Sequence, residues 1–134
     1  MRVAAAEPIG FGWSLVQLPV HADSRGVLVP FEFYDLPFDP QRVFVISGVP
    51  AKTTRGGHAH RSARQLLYCP AGTVTVDVRI GESTATMLLD HRDRALVVEP
   101  GVWTSQTFET AESVLVVFSS EPYDRASYLD DSDT

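Results

Sequence analysis

His58 and His60 stand one residue apart in RGGHAHRSARQ, residues 55–65, behind a glycine pair and among Arg55, Arg61 and Arg64. An imidazole titrates near neutral pH, so two of them together suit proton transfer or metal binding. On an extended strand, positions i and i+2 project to the same face. If that strand lines a barrel, the shared face is the interior. Two buried imidazoles need hydrogen-bond partners, and a satisfied polar strand is the plain alternative. The neighbouring cations speak against it, because an inert core rarely collects so many.

A metal in a small β-barrel is commonly held by His-x-His, a carboxylate shortly after it and a distant third histidine. Gln65 stands where that carboxylate is expected, and a neutral amide is a weak ligand for transition metals. The remaining histidines, His21 and His91, lie in the turn-like contexts VHADSRG and DHRDR. No metal and no cofactor are therefore expected. A histidine pair without a metal points to general acid–base chemistry.

Three further residues carry two readings each. Arg42 opens an apolar run and is either a solvated strand end or an inward clamp for an anion. Gln65 either meets hydroxyls of a ligand or closes an internal polar network. Trp103 follows Pro100-Gly101 and is either a core aromatic or a stacking surface at the rim of a site. Tyr123 and Tyr128 read as anchors for the tail, and Phe31, Phe33 and Phe38 as a patch that covers a partner subunit.

These residues need a scaffold. Short runs rich in Val, Ile, Thr and aromatics recur at residues 27–33, 42–49, 64–69, 73–80, 85–90, 95–100 and 113–120. Glycine and proline separate them, including the pair Gly56–Gly57, which reads as a turn. Residues 73–80 alternate Val74, Val76, Val78 and Ile80 with Thr75, Asp77 and Arg79, the pattern of a half-buried strand. No capped helical period of ten or more residues occurs. The expected fold is all-β, a sandwich or barrel, as one domain over residues 1–134. Only the tail PYDRASYLDDSD offers a short helix, with a solvated acidic end as the alternative.

Charge and composition exclude several partners. The chain of 134 residues has a formal net charge of -6, whereas nucleic-acid binding needs a basic face. A small anion remains compatible, since it needs only two or three local arginines. No run reaches the length of a membrane span, and Glu7 and Pro8 interrupt any secretion signal. Cys69 is the single cysteine and reads as a buried thiol, so a reducing, cytoplasmic setting is expected.

Taken in order, several motifs form a recognisable series. They are Asp23-Ser-Arg-Gly26, Pro37-Phe38 with Arg42-Val43, and Arg55-Gly-Gly-His-Ala-His60 with Gln65. Gly72-Thr-Val-Thr-Val, Pro100-Gly-Val-Trp103, Ser113-Val-Leu-Val-Val and Tyr123-Asp124 with Tyr128 follow. On these the chain resembles the cupin-fold sugar 3,4-ketoisomerases that act on dTDP-4-keto-6-deoxyglucose. The resemblance implies a small cupin-like jelly-roll β-barrel, a homodimer, and a nucleotide-sugar substrate bound without metal. It implies His58 as the base for the C3 proton and His60 as an assisting or relaying group. Arg42 and Arg55 would hold the nucleotide's charge or sugar oxygens, with Gln65 and Trp103 completing the substrate contacts. Two positions depart from the family pattern: Phe44 stands where tyrosine is usual, and Thr104 where histidine is usual. The implied activity is a metal-independent sugar-nucleotide ketoisomerase. The alternatives are a divergent member acting on a non-sugar carbonyl compound, or a catalytically silent nucleotide-sugar-binding module.

Overall fold

Alternation of apolar and polar residues builds this chain into two facing β-sheets. The structure is a computed structural model and describes residues 7–10 and 12–130. One sheet has six strands: β1 (Glu7–Gly10), β2 (Trp13–Gln17), β10 (Arg94–Val98), β7 (Gln65–Ala71), β12 (Val114–Ser119) and β5 (Arg42–Ile46), in that spatial order. The other has five: β13 (Tyr128–Asp130), β6 (Thr53–His60), β11 (Trp103–Phe108), β8 (Val74–Ile80) and β9 (Ser83–Leu89). A small hairpin of β3 (His21–Asp23) and β4 (Gly26–Leu28) stands apart. Every pairing is antiparallel, and sequence neighbours are often separated in space, as in a jelly roll.

Strand β8 shows how the pattern becomes a core. Val74, Val76 and Val78 are buried, while Thr75, Asp77 and Arg79 take the other face. The valines meet Leu67, Leu96, Phe108, Leu115 and Val117 between the sheets. Burying each such side chain stabilises the fold by about 1.5–3 kcal/mol.

A second apolar cluster covers the back of the six-stranded sheet. Leu36 and Phe38 pack there with Val16, Leu66, Tyr68, Val97 and Phe118. Phe31 stacks on Phe118 at 4.8 Å and meets Tyr68 edge-on at 4.9 Å. Phe31 and Phe38 are thus core residues of this chain rather than a face for a partner, and only Phe33 is left half exposed. The long strand expected over 27–33 shrinks to β4, and a 3-10 turn forms at Phe33–Asp35. Pro30 lacks the N–H that a ladder needs, so the segment lies over the sheet instead of joining it.

The tail also differs from expectation. A 3-10 turn at Arg125–Ser127 replaces the short helix, and β13 follows it. The Asp124 carboxylate accepts the Ala126 N–H, and the Ser127 carbonyl accepts the Arg61 N–H, so the tail is pinned against the end of β6. Residues 131–134 of the acidic tail lie outside the described residues. Among the described residues no helix is long and apolar enough to cross a membrane.

Candidate active site

The glycine pair of β6 decides which side chains face inward. Pairing with β11 sets Thr104 opposite His58, Ser105 opposite Gly56 and Gln106 opposite Arg55, so one residue, Gly57, is extra. Gly56 and Gly57 have φ of 88° and 90°, a region open to glycine at little cost. The expected turn is therefore a bulge inside a continuous strand. In a regular strand without this bulge, Arg55 and His58, three positions apart, would project to opposite faces. With it, Arg55, His58 and His60 all line one cavity of about 410 Å³ between the sheets.

The two walls of this cavity differ in chemistry. On the six-stranded side, Phe44 pairs with Val117 and Val117 with Leu67, and these three side chains present an apolar surface. Arg42 and Gln65 extend that wall at one end, both opposite Ser119. On the five-stranded side stand Arg55, His58, His60, Thr104, Gln106 and Tyr128. The lining contains two guanidinium groups and no carboxylate, which favours an anionic ligand.

Three aromatic rings cluster on the polar wall. The His58 and His60 centroids are 5.6 Å apart. Tyr128 lies 4.5 Å from His58 and 4.6 Å from His60. Burial lowers the pKa of His58. It lowers that of His60 to about 4, reinforced by His58 and Arg42 and opposed by Glu121. Both imidazoles are therefore neutral at pH 7 and able to accept a proton. The Gln106 amide donates to the Thr104 hydroxyl at 2.9 Å. The Arg42 guanidinium sits 4.4 Å above the Phe44 ring and 5.0 Å from the Tyr123 ring, which holds it by cation–π contacts.

The residues expected at a site from sequence are mostly brought together, with corrections. Arg42, Arg55, His58, His60 and Gln65 share the cavity. Trp103 does not: Thr104 faces inward, so its neighbour faces outward, where Arg79 packs 4.5 Å from the indole ring. Of the cations around the histidines, only Arg55 points in. Arg64 bonds both Glu99 oxygens at 2.8 and 3.0 Å and the Pro37 carbonyl at 2.8 Å, and Arg61 holds the Ala126 carbonyl. Two polar lining residues, Gln106 and Tyr128, were not anticipated there. The alternation Thr104, Gln106, Phe108 against Trp103, Ser105, Thr107 contained the signal for Gln106. Among the described residues, no three His, Cys, Asp or Glu side chains gather as ligands for a metal ion.

Two antiparallel sheets closing over a histidine-lined cavity define a cupin-like jelly roll of the kind found in sugar isomerases. The chain belongs to the family described as FdtA (WxcM-like, C-terminal), whose model matches residues 12–134. It is 33% identical over 108 residues to the TDP-4-oxo-6-deoxy-alpha-D-glucose-3,4-oxoisomerase of Aneurinibacillus thermoaerophilus, across 80% of this chain and 78% of that protein. The sugar 3,4-ketoisomerase QdtA from Thermoanaerobacterium thermosaccharolyticum, in complex with TDP, superposes with a TM-score of 0.88 at 33% identity, covering 92% of this chain and 90% of its own. A histidine-to-asparagine mutant of QdtA in complex with TDP-4-keto-6-deoxyglucose superposes with a TM-score of 0.89 at 32% identity, covering 93% and 91%.

Proposed function

We propose that this protein is a sugar-nucleotide ketoisomerase that moves the keto group of TDP-4-keto-6-deoxyglucose from C4 to C3 without a metal. The observation that carries this reading is the pair of neutral imidazoles, His58 and His60, facing a cavity that also holds Arg42 and Arg55. A ketone at C4 acidifies the C3 hydrogen. His58 takes that proton, an enediol forms, and a proton returns at C4 as the C3 oxygen becomes a carbonyl. His60 assists by relaying a proton. Arg42 and Arg55 hold the anionic nucleotide portion or the sugar oxygens, and Gln65 meets the hydroxyls. The donor set supports acid–base chemistry over metal chemistry, because the position spaced as a third ligand is the neutral amide Gln65. The relatives named for this reaction and for TDP-sugar complexes support the choice of substrate.

The same reading makes residues 1–134 a single domain that works as a cytoplasmic homodimer. Strand β5 is an edge of its sheet, with Val43 46% and Val45 60% exposed, a surface suited to a second copy. Light scattering should give a dimer mass at micromolar concentration, and a monomer mass overturns that part.

The enzymatic test is proton NMR of TDP-4-keto-6-deoxyglucose with the protein in deuterated solvent. Loss of the C3 proton signal and appearance of the 3-keto sugar are expected. In His58→Asn, both rates should fall roughly 100-fold or more, with TDP binding and circular dichroism unchanged. Wild-type exchange and turnover in the mutant remove His58 as the base.

A further inference from the structure

Tyr128 enters the cavity from the last strand of the fold. Its register partner on β6 is His60, and its ring completes a triangle with both imidazoles, at 4.5 and 4.6 Å. Among the described residues its hydroxyl has no hydrogen-bond partner. The other hydroxyl on this wall, that of Thr104, accepts the Gln106 amide N–H at 2.9 Å and belongs to a weaker acid than a phenol. Across the cavity, Phe44 presents a ring with no hydroxyl. Tyr128 is thus the one phenol among the residues that line the cavity, and it stands beside the groups proposed to move the proton.

The proposed isomerisation creates a need for such a donor. When the C3–H bond breaks, the proton goes to an imidazole and the bonding pair forms the C3–C4 double bond. The carbonyl pair moves onto the C4 oxygen, which becomes an enediolate oxygen. The imidazolium then returns a proton to that oxygen. The C3 hydroxyl gives its proton to the imidazole, now neutral again, as its C–O bond becomes a carbonyl, and the double-bond pair takes that proton from the imidazolium at C4. Atoms and electrons balance without an external oxidant or reductant. The charge that develops on the C4 oxygen is stabilised by a hydrogen-bond donor placed beside the proton-moving groups.

We propose that Tyr128 is a further catalytic residue, its phenol donating a hydrogen bond to the substrate carbonyl oxygen as that oxygen becomes an enediolate. This rests on the ketoisomerase reading above, and it makes the C-terminal strand part of the reacting site.

The experiment compares wild type, Tyr128→Phe and Tyr128→Leu in the same NMR exchange assay, with steady-state kinetics and melting curves. Tyr128→Phe keeps the ring and loses only the hydroxyl. Its kcat and its rate of C3 proton exchange should fall by about 100-fold, the usual loss for one donor to a developing oxyanion, with KM and melting temperature little changed. Wild-type kcat in Tyr128→Phe overturns the proposal, and so does a change in KM alone. Slow turnover confined to Tyr128→Leu assigns the ring a positioning role and overturns the donor role. A wild-type protein that neither exchanges nor isomerises the sugar removes the ketoisomerase reading and this proposal together. An active wild type beside an equally active Tyr128→Phe removes this proposal only.

Discussion

Arg55 and His58 are three positions apart on one strand and face the same cavity, while their partners Gln106 and Thr104 on the next strand are two apart. Gly57 is the extra residue, and the bulge takes up its step. A guanidinium and an imidazole are thereby set on one wall.

The two glycines of this bulge should respond differently to alanine. A Cβ on Gly57 meets nothing within 4 Å, so Gly57→Ala carries only the strain of φ 90°, about 1–3 kcal/mol. A Cβ on Gly56 would also meet the Gln106 side-chain oxygen at 2.6 Å and the Thr104 carbonyl at 3.1 Å. Gly56→Ala should therefore be the less stable of the two by urea unfolding, and the slower in turnover. Equal stabilities contradict this reading of the bulge.

Arg55→Ala should weaken TDP binding by at least roughly 1.5 kcal/mol, the low end for a charge-assisted hydrogen bond. Isothermal calorimetry measures it directly. An unchanged affinity takes Arg55 out of the anion site and leaves Arg42 as the remaining cavity guanidinium.

Acid should destabilise the fold through the histidine pair. Burial, with His58 and Arg42 nearby, holds His60 at about 4 instead of the usual 6.5. Between those values the unfolded chain binds a proton that the folded chain does not. The stability contribution is complete above pH 6.5 and is lost as pH falls toward about 4. His58 shifts in the same direction. Melting curves over this range should show a shallower acid decline for His60→Gln than for wild type. Parallel declines argue that His60 titrates normally.

Arg64 ties the loop before β11 and the segment over the back sheet to the start of β7, through Glu99 and the Pro37 carbonyl. The Arg64 and Glu99 side chains are 33% and 38% exposed, which weakens the pair relative to a buried one. Arg64→Met should still cost about 1–2 kcal/mol in thermal unfolding, because the bidentate geometry and the carbonyl bond are lost together. A variant as stable as wild type assigns this contact no role in holding the loop.

The all-β architecture and the histidine pair were legible in the sequence because burial imposes a period of two on strands such as β8. The strands that escaped notice lacked that contrast. Two glycines made the middle of β6 look like a turn, and β11 carries its alternation with Phe108 as the one large apolar residue on the inward face. Tyr128 was not legible as a lining residue, since its place depends on a three-residue strand pairing with β6, far away in the chain. Trp103 was misplaced although the alternation of β11 sets it on the face opposite Thr104 and Gln106. Arg61 and Arg64 were attractive as cations near the histidines, but proximity in sequence is not direction in space.

The two walls of the cavity have a consequence for how this protein can change. The aliphatic and aromatic surface of Phe44, Leu67 and Val117 belongs to one sheet, and the histidines with Tyr128 belong to the other. The apolar room of the cavity and the histidine cluster are therefore carried on separate sheets. Replacements along β5 and β12 can reshape the room for a sugar's carbon skeleton while the imidazoles keep their spacing. A lineage built on this plan can exchange one hexose for another by remodelling a single sheet, and its catalytic groups inherit the new substrate without being rebuilt.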